Sequence, residues 1–193
     1  MVGEYSLEDA KKLISLARKS IEAELDKKIE IKIPEEKQFR QARGVFVTLH
    51  TFPGNELRGC IGFPYPTLPI GKAVVEAAKA AAFADPRFQP LKKGEMNKII
   101  IEISILSMPQ EAKPEKIKIG KDGLMCNYLG YSGLLLPQVA TENKMNRIEF
   151  LECVCQKASL PKDAWQKNGF KLQKFQAQIF KEKKPNGEIV EEK

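Results

Sequence analysis

The segment Leu57-Arg58-Gly59-Cys60-Ile61-Gly62-Phe63 sets a guanidinium and a thiol two positions apart, with one glycine between them and another beyond. Glycine weakens a strand by about 0.5–1 kcal/mol relative to alanine, so two in one short strand imply a purpose: room for a ligand or for a neighbouring backbone. A nearby cation favours thiolate, the nucleophilic form, and lowers the thiol from its ordinary ~8.5. The pattern is therefore suited to attack by Cys60 on a substrate whose anionic group Arg58 holds, with the chain's single histidine, His50, as base. Asp85 is placed to orient His50 or Arg58. Asp85-Pro86-Arg87-Phe88 adds a second arginine just past a helix end, and Gln138 adds a polar contact. The candidate set is Cys60 and His50 as catalytic residues, with Arg58, Gly59, Gly62, Asp85, Arg87 and Gln138 around a bound molecule.

Each candidate has a plainer explanation. Free cysteine often packs as a small hydrophobe, Arg58 can pair with Glu102 or Asp85, glycines mark bulges, and Arg87 can answer a helix dipole. Of the other cysteines, Cys155 falls on the apolar stripe of its helix, Cys153 outside it, and Cys126 in a strand. Trp165, the lone tryptophan, reads as core rather than as a stacking platform.

These residues need elements to position them. Ser6 and Asp9 read as a helix start, and Leu7, Ala10, Leu13, Ile14, Ala17, Ile21 and Leu25 recur at helical spacing. A charged connection over 29–43 leads to a strand over 45–50, the Pro53-Gly54-Asn55 turn, and an antiparallel return over 57–63. A five-residue loop pairs Thr51 with Leu57, and hence His50 with Arg58, Thr48 with Cys60 and Phe46 with Gly62. Alternation sends Leu57, Gly59, Ile61 and Phe63 to the core and Arg58, Cys60 and Gly62 to the other face. A helix over 70–84 stops at Asp85-Pro86 because the residue before proline avoids the helical region. Residues 98–108 then form a half-buried strand with Ile99, Ile101, Ile103 and Ile105 on one face.

The second half replays this order: a hairpin over 124–136, a helix capped by Asn146 and running to Ala158, and one strand over 171–180. The offset of about 77 residues suggests a duplicated hairpin–helix–strand unit. Two such units most simply form an α+β fold, one curved antiparallel sheet with helices packed outside, bringing 57–63 and 134–139 together across a cleft. The charged tail from Lys181 is expected to fray.

A chain of 193 residues can bury a core without disulfides. One histidine and four cysteines without a CxxC pair exclude a structural zinc site, and no cofactor can be named. No run of about 18 apolar residues offers a membrane span, and the start Met-Val-Gly-Glu-Tyr lacks the features of a signal peptide, so a reducing cytoplasm is expected. The net charge of +7 invites nucleic acid, but only six of the 32 basic residues are arginine and the lysines alternate with glutamates. That dispersion argues against a nucleic-acid surface and matches the Lys/Glu enrichment of hyperthermophile proteins.

The segments Val45–His50, Leu57–Gly62, Asp85–Phe88, Ile101–Ser104, Leu134–Ala140 and Asp163–Trp165, in that order, resemble the AMMECR family, named for a human disease-associated chromosomal region, in which LRGCIG is the signature hexapeptide. The match runs from about Gly44 to Phe180; Lys157-Ala158-Ser159-Leu160 departs from the family's Lys-Ala-Gly-Leu. The resemblance implies a single domain with a barrel-like, internally duplicated sheet and two unequal lobes. The larger lobe is built from both chain ends, the smaller is inserted between them, and the signature strand lies near the cleft. Relatives span archaea, bacteria and eukaryotes, some beside Memo-type or radical-SAM domains. Three functions stay open: a small-molecule binder or enzyme using Arg58 and Cys60; a protein-interaction module in which LRGCIG is structural; and nucleic-acid binding. Oligomeric state is not specified by the sequence.

Overall fold

A computed structural model describes residues 5–192; the first four residues, on which much of the leader reading rests, lie outside the described residues. The chain divides into two compact units. One holds the residues through Leu106 together with Gln178 onward, and the other holds Ser107–Ala177.

In the first unit, α1 (Leu7–Leu25) starts at Ser6, whose hydroxyl accepts from the Asp9 N–H while the Asp9 carboxylate accepts from the Ser6 N–H at 2.9 Å. Its apolar stripe, Leu13, Ile14, Ala17 and Ile21, is fully buried. β1 (Gly44–Thr51) turns into β2 (Leu57–Phe63), and α2 (Ile70–Phe83) follows, its buried face made largely of alanines that let a helix backbone approach a sheet closely. β3 (Ile99–Leu106) completes the run. The opposing faces of α1 and α2 meet Val45, Val47, Leu49, Ile101, Ile103 and Ile105 in one core.

The second unit carries the short β4 (Gln110–Glu111), the hairpin of β5 (Gly123–Tyr128) and β6 (Tyr131–Leu135), α3 (Pro137–Glu142), α4 (Arg147–Lys157) and β7 (Lys171–Phe175). Phe150, Leu151 and Val154 of α4 pack against Leu124, Cys126 and Leu172 in a core of its own. The chain then gives β8 (Ala177–Glu182) and β9 (Ile189–Glu192) back to the first unit's sheet.

The described strands form two sheets, ordered β2-β1-β3-β8-β9 and β4-β7-β5-β6, so the single curved sheet expected from the sequence is corrected, and neither sheet closes into a barrel. The reason is visible at Gln176: the strand expected over 171–180 breaks there, its first half pairing with β5 and its second with β9. The tail from Lys181 does not fray. Lys181 and Glu182 belong to β8, and β9 pairs with it antiparallel. The buried carboxylate of Glu182 accepts from Arg18 Nε at 3.2 Å and from the Ile101 N–H at 2.9 Å, while Arg18 donates to the carbonyls of Met96 and Ile99.

Candidate functional site

β2 is an edge strand, and its outer side is capped by side chains rather than by another strand. Asp85, just beyond the end of α2 and only 4% exposed, accepts from the Cys60 N–H at 2.9 Å. Its carboxylate also receives Arg87 Nε at 2.9 Å and Nη2 at 2.7 Å, and Arg87 Nη2 lies 3.4 Å from the Cys60 carbonyl. Together the two side chains offer the edge one acceptor and one donor, as a residue of a neighbouring strand would. The Arg87 guanidinium, with help from the Cys60 N–H and despite burial, holds the Asp85 carboxyl far below the usual carboxylate range. Asp85 therefore orients neither His50 nor Arg58. Arg87 serves this carboxylate rather than a helix dipole, and its guanidinium sits 5.5 Å from the Phe88 ring.

The glycines are filled positions. A Cβ on Gly59 would come within 2.1 Å of the Ala81 carbonyl oxygen, so this glycine admits the backbone of α2. A Cβ on Gly62 would meet the Val45 carbonyl oxygen at 2.3 Å and the Phe46 ring at 2.5 Å, so an aromatic ring covers it from the paired position on β1. Of the two uses expected for the glycines, room for a ligand and room for a neighbour, the structure shows the second.

Register accounts for the rest. Thr48 pairs with Cys60 and Phe46 with Gly62, as expected, but the ladder shifts between Leu49 and His50 so that His50 faces Leu57. Arg58 is the extra residue of this bulge and swings to Glu95, donating Nε at 2.9 Å and Nη2 at 3.3 Å. Neither Glu102 nor Asp85 is its partner. With its charge matched by Glu95 and its side chain 14% exposed, Arg58 is not a free anion anchor, although its Nη1 is buried without a hydrogen-bond partner.

On the face opposite the helices, the strands set Cys60, Thr48 and Glu102 in one cross-strand row and Gly62, Phe46 and Ser104 in the next. The Thr48 hydroxyl lies 3.2 Å from Cys60 Sγ. Glu102 stands 3.3 Å from His50 Nε2 and 3.6 Å from Lys181 Nζ. His50 thus borders a carboxylate that Lys181 also approaches, and its expected role as base to Cys60 has no contact behind it. Burial pushes the Cys60 thiol up; the Thr48 hydrogen bond and the Arg87 charge pull it down by less, and Glu102 and Asp85 add to the rise. The expectation of a thiolate favoured by its neighbouring arginine is corrected on this point. His50 Nδ1 and the hydroxyl of Ser104, a residue only 1% exposed, are buried without hydrogen-bond partners, and Nε2 has only the Glu102 carboxylate near it.

Gln138 lies in the first turn of α3, in the second unit, because Pro137 opens a helix where an extended segment was expected. Cys126 and Cys155 are buried and Cys153 is half-buried; burial pushes the Cys155 thiol up to about 11. Trp165 packs at the margin of the second core. Among the described residues no group of three or more His, Cys, Asp or Glu side chains could hold a metal ion, and no helix is long and apolar enough to cross a membrane.

Sequence reasoning missed Glu95, Ser104 and Lys181. Glu95 had a signal in its spacing from Lys92, whose N–H its carboxylate accepts at 2.8 Å. Lys181 was hidden by the charged run that follows it, and Ser104 by its place on what read as a solvated face.

Known proteins resemble this chain in sequence and, for one of them, in structure. Protein MJ0810 of Methanocaldococcus jannaschii is 47% identical over 196 residues, covering 97% of each chain. Protein TV1384 of Thermoplasma volcanium is 43% identical over 190 residues, covering 95% of this chain and 94% of its own. The crystal structure of an uncharacterized protein, PH0010 from Pyrococcus horikoshii, superposes with a TM-score of 0.86 at 42% identity over 93% of this chain and 94% of the other. The AMMECR1 family model matches residues 14–180, and the chain belongs to that family.

Proposed function

We propose that the polar face of the first unit's sheet binds a small polar molecule, with Cys60 as a neutral thiol contact rather than a nucleophile. The observation that carries this reading is the pair of buried, unpartnered atoms at His50 Nδ1 and Ser104 Oγ beside the Cys60–Thr48–Glu102 row. Each buried orphan costs about 1–3 kcal/mol, and a ligand carrying both donors and acceptors removes that cost. An imidazole and a hydroxyl side by side call for a ligand that hydrogen-bonds in both senses, such as an amide or a hydroxy acid. Both arginines are paired, Arg87 with Asp85 and Arg58 with Glu95, but Arg87, its side chain 54% exposed beside Cys60 against 14% for Arg58, is the one that reaches an anionic group on that ligand. In this reading the protein is cytoplasmic, LRGCIG is the family signature, and the inserted unit repeats the hairpin–helix–strand plan of the first.

A thermal-shift panel of small amides, hydroxy acids and their phosphorylated forms tests it. At least one compound raises Tm in the wild type, and His50→Ala and Ser104→Ala each remove the rise. A rise that survives both substitutions contradicts the assignment. The interaction-module reading draws on Gly59, which serves the docking of α2 and leaves no room for a ligand on its own face.

A further inference from the structure

A groove of about 330 Å³ runs along the outer side of α1, remote in sequence from the signature strand, with Pro34 on its far wall. Lys12, Ser15 and Lys19 reach it from one helical stripe, Lys11 from the adjacent position, and Lys32 from the connection that follows α1. Two of these cations are already matched: Lys11 pairs at 2.6 Å with Glu8, the one carboxylate in the lining, and Lys12 with Glu36 at 2.5 Å. Lys19 and Lys32 form no ion pair among the described residues, and what distinguishes them from the other unpaired surface lysines is that they line the same groove. Two unmatched ammonium groups thus line one concavity beside a hydroxyl and over the apolar floor of Leu16.

We infer that this groove binds a small phosphate-bearing polyanion, with Lys19 and Lys32 as its charge contacts and Ser15 as a hydrogen-bond donor. The volume lies at the small end of ligand pockets, roughly 300–1,000 Å³, which fits a metabolite-sized ligand rather than a polymer. Lysine favours phosphate over a planar carboxylate because its ammonium is a point charge with rotatable donors and lacks the fork that selects bidentate carboxylates. A ligand with more than one negative charge matches both unpaired lysines, which come from different segments.

Titration calorimetry of the full chain with inorganic tripolyphosphate, and with inorganic phosphate as the monomeric comparison, tests this. Tripolyphosphate binds, phosphate binds at least about tenfold more weakly, and Lys19→Gln with Lys32→Gln weakens tripolyphosphate about tenfold. Lys27→Gln with Lys167→Gln removes the same charge from paired surface sites and leaves the affinity unchanged. The inference is overturned by no heat at about 1 mM ligand, by equal loss in the two double variants, or by a single-stranded oligonucleotide that binds the wild type more tightly than tripolyphosphate does. All four substituted lysines are exposed, so folding is not at stake.

Discussion

Glu182→Gln lowers stability by about 3–5 kcal/mol and Tm by roughly 10 °C, measured by chemical and thermal unfolding. The substitution changes one atom type at a position whose side chain is buried against the equally buried Arg18. With the carboxylate gone, the guanidinium keeps its charge in the interior without a counter-charge, and the single amide oxygen leaves either Arg18 or the Ile101 N–H facing an NH2 donor. Many buried ion pairs can be replaced by hydrocarbon at no net cost, but this one also satisfies three backbone groups: the two carbonyls and the Ile101 N–H. Arg18→Met combined with Glu182→Leu therefore remains destabilised, because it orphans all three. Recovery of wild-type stability by that double variant shows that the backbone groups carry less of the cost than argued here.

Asp85→Ala is the second large effect, about 2–4 kcal/mol. It strips the acceptor from the edge N–H of Cys60 and frees Arg87, whose exposed guanidinium rehydrates, so the loss is smaller than at Glu182. The pH dependence identifies the cause. A carboxyl held below its ordinary 3.8 stabilises the fold fully above that value, and the contribution is lost as pH falls through the lower folded value. The wild type accordingly loses stability steeply below about pH 4, and Asp85→Asn, already without the charge, loses less over the same range. Parallel curves for the two proteins place the acid sensitivity at other carboxylates. Freed of its cap, β2 of Asp85→Ala also offers an open edge to a second molecule, which appears as concentration-dependent self-association in sedimentation.

Much of the frame was legible because it rests on periodicity. The helix over 7–25, the helix over 70–83 and the isoleucine alternation of β3 all follow from side chains that must reach a core. The Thr48–Cys60 pairing was legible too, since it needs only the hairpin and the two-residue period. What the sequence hid was decided at single residues. A bulge at Arg58 costs one position of register and redirects both Arg58 and His50, and the glycines that allow a bulge in this strand do not say at which residue it falls. The division into two sheets turns on Gln176, where an alternating run changes neighbours without changing character. Glu182 looked like part of a solvated charge run because its partner, Arg18, lies 164 positions away on α1. The relatives in Methanocaldococcus and Thermoplasma fit the Lys/Glu-rich surface read from composition.

The central claim is that the signature strand carries its cysteine as a half-buried, neutral contact fixed by the Asp85–Arg87 cap. Alkylation of Cys60 by iodoacetamide, followed at that residue by peptide mass spectrometry between about pH 6 and pH 11, tests it most directly. The account predicts half-maximal reactivity above the ordinary thiol value of 9.0, a further rise in Arg87→Ala, and no change in Arg58→Ala. Half-maximal reactivity below about pH 8 that moves upward when Arg58 is removed contradicts it, and restores Arg58 and Cys60 as a nucleophilic pair.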